Sequence, residues 1–151
     1  MDIPINIKVQ SIQDSLTSQK LYLFKNNSYS DDAPSHYHLA IKTNDDKYLL
    51  LTMITSQVEK KKQYYADSPT LLSSLVELSA ADVNQISSRL NLNSCIDCNR
   101  PILKTNEELL ANITTDSFEY IDATIQSDLI DKITTAIKSS PQVRPNVKNI
   151  L

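Results

Sequence analysis

The residues of this chain that could do chemistry gather in one stretch, Ser35 to Tyr65. It holds both histidines of the protein, His36 and His38, in SHYHLAIK. It also holds a hydroxyl- and amide-bearing triplet, Thr55-Ser56-Gln57, then Glu59 and three successive lysines, Lys60 to Lys62. An imidazole titrates near pH ~6.5, so either histidine can take or give a proton close to neutrality. Two residues apart on a strand, the pair would point to one face. They could then act as acid and base, with Thr55 and Ser56 donating to an anion. Lys60 and Lys61 could guide a polyanionic strand, and Tyr37, Tyr64 or Tyr65 could stack a base. A plainer reading has histidines flanking a strand entrance, hydroxyls in ordinary turn chemistry and lysines on a solvated loop.

The surrounding pattern supplies elements to position these groups. Roughly residues 36–43 and 47–55 read as two strands of a hairpin, joined by the turn Asn44-Asp45-Asp46. Tyr48 to Ile54 is almost wholly apolar, which predicts a central strand covered on both faces. KLYLF at 20–24, LVEL at 75–78 and SCIDC from Ser94 predict further strands, with Pro101 stopping the last or marking an edge. Ser79 predicts the cap of a helix over roughly 79–91, with Val83, Ile86 and Leu90 on one face and Asn91 or Asn93 closing it. Residues 57–73 are polar, contain Pro69 and read as a loop. The alternation Ile3, Ile5, Ile7, Val9 predicts an edge strand or an arm, and 30–34 a loop.

The last third reads as helical. Thr105 and Glu108 form a capping-box pattern, residues 117–125 suit strand or helix, and Ser127 caps DLIDKITTAIKSS. Pro141 ends that helix, leaving 141–151 as a frayed tail. The sum is a single α+β domain over 1–151. A small, mostly antiparallel sheet over 20–103 bends toward a barrel, with one inserted helix and C-terminal helices over 104–140.

Composition excludes several classes. At 151 residues, 40% hydrophobic and 22% charged, the chain suits one soluble domain. No apolar run is long enough to cross a membrane, and the start lacks a basic region before an apolar core, so a cytoplasmic protein is expected. Glycine is absent, which removes phosphate loops, dinucleotide fingerprints and GxSxG elbows. It also leaves any left-handed turn position to Asn or Asp. A net charge of −3 argues against a protein that coats DNA. Cys95 and Cys98 stand three apart in a strand, which points them to opposite faces and argues against a local disulfide. With no second CxxC and the histidines far upstream, no metal or cofactor is expected.

Two short segments resemble a known family. MITSQVEKKK, Met53 to Lys62, is similar to the apolar strand and basic loop of the MazF/PemK (Kid) toxin ribonucleases. SCIDCNRPILK, Ser94 to Lys104, resembles that family's strand leading into the C-terminal helices. The resemblance spans residues ~20 to 140 and implies a small SH3-like barrel of the CcdB/PemK type. It implies an endoribonuclease needing no metal, which cleaves single-stranded RNA by attack of the 2′-hydroxyl and leaves a 2′,3′-cyclic phosphate. Thr55 stands where the family has its Thr/Ser, whereas the place of the family's arginine falls at or next to His36. The expected catalytic residues are therefore His36, His38 and Thr55, with Ser56, Gln57, Lys60, Lys61 and Arg100 on the RNA. Arg100 could instead pair with Asp97. A homodimer and an antitoxin protein are implied as partners. The alternative is a non-catalytic binding module, in the manner of the gyrase-poisoning CcdB proteins.

Overall fold

A computed structural model describes residues 20–24, 36–45, 47–105, 107–108 and 119–151. Its strands are β1 (Lys20–Phe24), β2 (His36–Ile41), β3 (Tyr48–Thr55), β4 (Leu75–Leu78), β5 (Ser94–Thr105) and β6 (Glu119–Asp122). Its helices are α1 (Val58–Tyr64), α2 (Pro69–Leu72), α3 (Ala80–Ile86), α4 (Ser127–Ser139) and α5 (Pro145–Lys148). The strands form one antiparallel sheet in the order β4-β5-β3-β2-β1-β6. The α+β class holds. β4 and β6 stand at the two ends, and no ladder joins them among the described residues, so the sheet is open rather than closed into the expected barrel.

The predicted central strand is β3, buried from Leu49 to Thr55 because neighbours cover both its faces. One face carries Leu21, Leu39, Ile41, Leu50, Ile54 and Ile96, packed against Ile86 of α3 and Ile133, Ala136 and Ile137 of α4. The spacing of those three α4 residues gives one apolar stripe, and each fully buried isoleucine adds about 1.5–3 kcal/mol. On the other face Cys95 meets Tyr65 and Leu75, with Val58, Leu71 and Leu72 of α1 and α2 against them. Cys98 belongs to the first cluster and Cys95 to the second, so the two free thiols point apart as the alternation predicts.

Several expectations change. Residues 57–73 form α1 and α2 instead of a loop. Val58 and Tyr65 give this polar segment an apolar anchor, Glu59 and Lys61/Lys62 suit the helix dipole, and Ser68 caps α2, accepting from Leu71 N–H at 3.3 Å. The tail 141–151 is docked: Val143 and Val147 are buried, and Asn44 N–H donates to the Ile150 carbonyl at 2.6 Å. β5 continues through Pro101. β4 pairs only with Ser94–Asp97, and the β3 ladder slips between Met53↔Asp97 and Leu51↔Ile102, so the proline lies in an irregularity where a lost N–H is tolerated. α3 is shorter than predicted. Ser79 caps it, accepting from Asp82 N–H, and Asn93 Oδ1 accepts from Ala80 N–H at 2.8 Å, while Leu90 packs on the core from a turn.

No described residue has positive φ, so none of the described Asn or Asp residues takes the left-handed backbone expected of them. In the β2–β3 turn, Thr43 Oγ1 donates to the Asp45 carbonyl, and Asp45 Oδ1 accepts from Lys47 N–H. The ambiguous 117–125 stretch contains strand β6. α4 is capped at Gln126, with Ser127 as its first helical residue. One half of the Thr105–Glu108 capping box is seen: Thr105 Oγ1 accepts from Glu108 N–H and donates to Glu108 Oε1, both at 3.2 Å. The expectations for 1–19, 30–34 and 109–116 lie outside the described residues. No helix among the described residues is long and apolar enough to cross a membrane.

Candidate functional site

The β2–β3 hairpin brings two of the predicted residues together. β2 opens at His36 and β3 closes at Thr55, each one step beyond the Tyr37↔Ile54 pair. Both line a cleft of about 280 Å³ at that end of the sheet, with Tyr37, Ile54, Ser56, Gln57 and Ser94. Arg89, Leu90, Asn91 and Leu92, from the segment after α3, close its other side. A second cleft of about 540 Å³ shares Ser56, Gln57 and Ser94 with the first and adds Lys60, Glu59, Glu77, Ser79 and Asn93. Ser56 and Gln57 are therefore the ridge between two adjoining clefts.

The electrostatics keep His36 unprotonated. Partial burial lowers its pKa from 6.5, and the nearby Lys61 charge lowers it further, so the ring is neutral near pH 7. Thr55 is almost buried, and its Oγ1 accepts from Gln57 N–H at 3.1 Å, which fixes the hydroxyl at the cleft wall. Ser56 and Gln57 are exposed.

His38 does not join them. It is fully buried mid-strand, opposite Met53 on one side and Tyr22 on the other. Burial drives its pKa down to about 4, the backbone of His36 and Tyr22 opposes that shift, and His36 adds to it. The expected acid–base pair is thus not assembled: both rings project to one side of the strand, but only His36 reaches the cleft. Lys61 also departs from expectation, because it turns to Asp97 and lines neither cleft. Arg100 is half-buried, acts electrostatically on Tyr65 and lines neither cleft. Lys60 is exposed and borders the second cleft. Lys62 bridges Glu77 of β4 at 2.7 Å, an exposed pair worth little by itself.

Of the tyrosines, Tyr65 is 2% exposed and unavailable for stacking. Tyr64 is 67% exposed, meets Tyr65 edge-on at 4.9 Å, and has the Lys61 ammonium 6.0 Å from its ring centre. Tyr37 lines the first cleft.

The residues that sequence reasoning missed are Arg89, Asn91 and Asp97. Arg89 and Asn91 lie just past α3 in a stretch expected to be helix, so nothing local linked them to the hairpin. Asp97 sits between the cysteines that drew attention first. Its carboxylate is 1% exposed and accepts from Lys61 Nζ at 3.0 Å and Tyr65 Oη at 2.8 Å through Oδ2. Its Oδ1 accepts from Asn99 N–H at 3.1 Å. The Asn99 amide then donates to the Leu71 carbonyl at 2.8 Å and accepts from Ser140 Oγ at 2.7 Å. This chain of bonds ties β5 to α1, α2 and the end of α4. Burial, reinforced by the Asp97 charge, holds the Tyr65 phenol protonated well above its ordinary pKa. Burial pushes the thiols up to about 11 for Cys95 and about 12 for Cys98, which leaves both protonated and poor ligands. Among the described residues no three His, Cys, Asp or Glu side chains cluster as a metal site would require.

No protein-family model matches this sequence, and no curated protein matches it significantly.

Proposed function

We propose that the two adjoining clefts bind single-stranded RNA and that the chain is a metal-independent endoribonuclease of the MazF/PemK kind, working in the cytoplasm. The observation that carries this reading is the convergence of a neutral imidazole, His36, and a fixed hydroxyl, Thr55, in one cleft that Arg89 also lines. His36 takes the proton of the 2′-hydroxyl as its oxygen bonds to phosphorus. Thr55 and Ser56 hydroxyls and the Arg89 guanidinium stabilise the added negative charge on the phosphate. The bond from phosphorus to the 5′-oxygen breaks, and the proton held by His36 passes to that oxygen, directly or through water. The products are a cyclic phosphate and a 5′-hydroxyl. Lys60 and the second cleft take the neighbouring nucleotide, and Tyr64 offers a stacking surface. The homodimer and an antitoxin that blocks the clefts belong to the same proposal.

The test is incubation of the purified protein with a mixed RNA in EDTA, followed by analysis of the ends. Cyclic-phosphate ends are expected, with His36→Ala cutting about 10²–10⁴-fold more slowly. Intact RNA, or a His36→Ala variant as fast as the parent, overturns the mechanism. The burial of His38 favours a second reading, a binding module without catalysis that acts through a protein partner, because no second imidazole stands ready to protonate the leaving group. That reading predicts unaltered RNA and co-purification of a protein partner.

A further inference from the structure

Helix α1 serves both clefts, yet it is only seven residues long and buries no residue of its own. Its capping residue Gln57 lines both clefts, and Val58, Glu59 and Lys60 line the second. A helix this short is unstable in isolation and must be held by tertiary contacts. Beside the apolar packing of Val58 and Tyr65 and the exposed Lys62–Glu77 bridge, the buried polar contacts are the Lys61 ammonium and the phenol of Tyr65, the residue just past its end, and both donate to one oxygen of Asp97. Tyr65 N–H also bonds back to the Lys61 carbonyl, so the two donors are fixed relative to each other. The acceptor is almost fully buried on β5 and is oriented by its bond from Asn99 N–H.

We propose that Asp97 is a positioning residue of the cleft: by holding Lys61 and Tyr65 it seats α1 on the sheet, which sets the ridge at Gln57 and keeps the Lys61 ammonium within electrostatic reach of His36. Asp97 touches no ligand; it acts through the helix. Among the described residues, the charged or titratable groups about His36 are Lys61 from α1, Tyr37 and His38 on its own strand, and Arg89, which lines the same cleft. Of these, only Lys61 owes its place to Asp97. The inference rests on the RNA reading for its effect on cleavage alone; the seating of α1 and the state of His36 can be measured without RNA.

The experiment is amide hydrogen exchange of residues 58–65 together with NMR titration of His36, on the full chain. Three variants are compared with the parent: Asp97→Asn, Tyr65→Phe and Lys61→Met. Asp97→Asn and Tyr65→Phe should speed exchange in α1 by about tenfold or more, with the centres of β2 and β3 unchanged, because charge-assisted hydrogen bonds are among the stronger ones. Lys61→Met should raise the midpoint of His36, as loss of a neighbouring cation favours the protonated ring. If Asp97→Asn unfolds the chain, Tyr65→Phe, which keeps the ring and loses only the hydroxyl, decides the exchange question. Unchanged α1 exchange in the folded variants, or a His36 midpoint indifferent to Lys61→Met, overturns the proposal. A parent that leaves RNA intact yet shows both effects refutes the nuclease reading and leaves Asp97 as the organiser of the cleft.

Discussion

The cleft at His36 and Thr55 and the centre at Asp97 use the same kinds of side chain and differ in their access to water. In the cleft, Ser56, Gln57, Arg89 and Asn91 are exposed, so each can exchange a water molecule for a ligand at little cost. At Asp97 the carboxylate, the Tyr65 phenol and the Asn99 amide are shut from solvent, and each is matched with a protein partner. A buried polar group is tolerated only when so matched, which makes the second region a fastening and leaves the first free to bind. His36 and His38 repeat the contrast two residues apart. One stands at the rim of the cleft; the other is a neutral ring inside the sheet.

The contrast breaks if the two regions respond alike to substitution. The largest expected effect is at Asp97. Asp97→Ala strands Lys61 and Tyr65 without their acceptor, and breaking such a buried pair costs about 3–5 kcal/mol. The Lys61 side chain keeps 18% of its surface in water, which places the loss toward the lower end. Urea unfolding measures it, and a loss under about 1 kcal/mol would put Asp97 in the same class as the cleft residues.

Next comes His38. Its folded pKa of about 4 lies below the ordinary 6.5, so above pH 6.5 neither folded nor unfolded chain takes the proton and stability is full. As the pH falls from 6.5 toward 4 the unfolded chain binds a proton that the folded one refuses, and stability drops by on the order of 3 kcal/mol. Unfolding curves between those limits should show this slope, and His38→Leu should flatten it.

The smallest effects belong to the cleft. Thr55→Ala removes one bond to Gln57 N–H, worth about 1 kcal/mol, and Arg89→Ala should change stability by less than about 0.5 kcal/mol. If the proposed RNA reading holds, both weaken RNA binding in a direct titration. If Arg89→Ala destabilised the fold as much as Asp97→Ala, the division between fastening and binding would be lost.

Local pattern made much of the scaffold legible. The hairpin, the doubly covered β3, the cap at Ser79 and the stripe on α4 each come from short-range rules of periodicity and capping. The helices at 57–73 were not legible, because their lysines and serines carry no apolar period; a few contacts from Val58, Tyr65, Leu71 and Leu72 hold them on the sheet. The docked tail escaped for a similar reason, since Val143 and Val147 acquire meaning only beside a core built from distant residues.

For the site, the sequence by itself determined that His36 and Thr55 would meet: a hairpin with a short turn sets its own register, and that register brings the first residue of one strand to the last of the other. It also determined that Cys95 and Cys98 would point apart. Only the tertiary structure decided which polar residues keep contact with water. Burial depends on what packs over a strand, and no local pattern records that His38 would be sealed, that Lys61 would turn inward to Asp97, or that Arg89 would arrive across the cleft from the far side of α3.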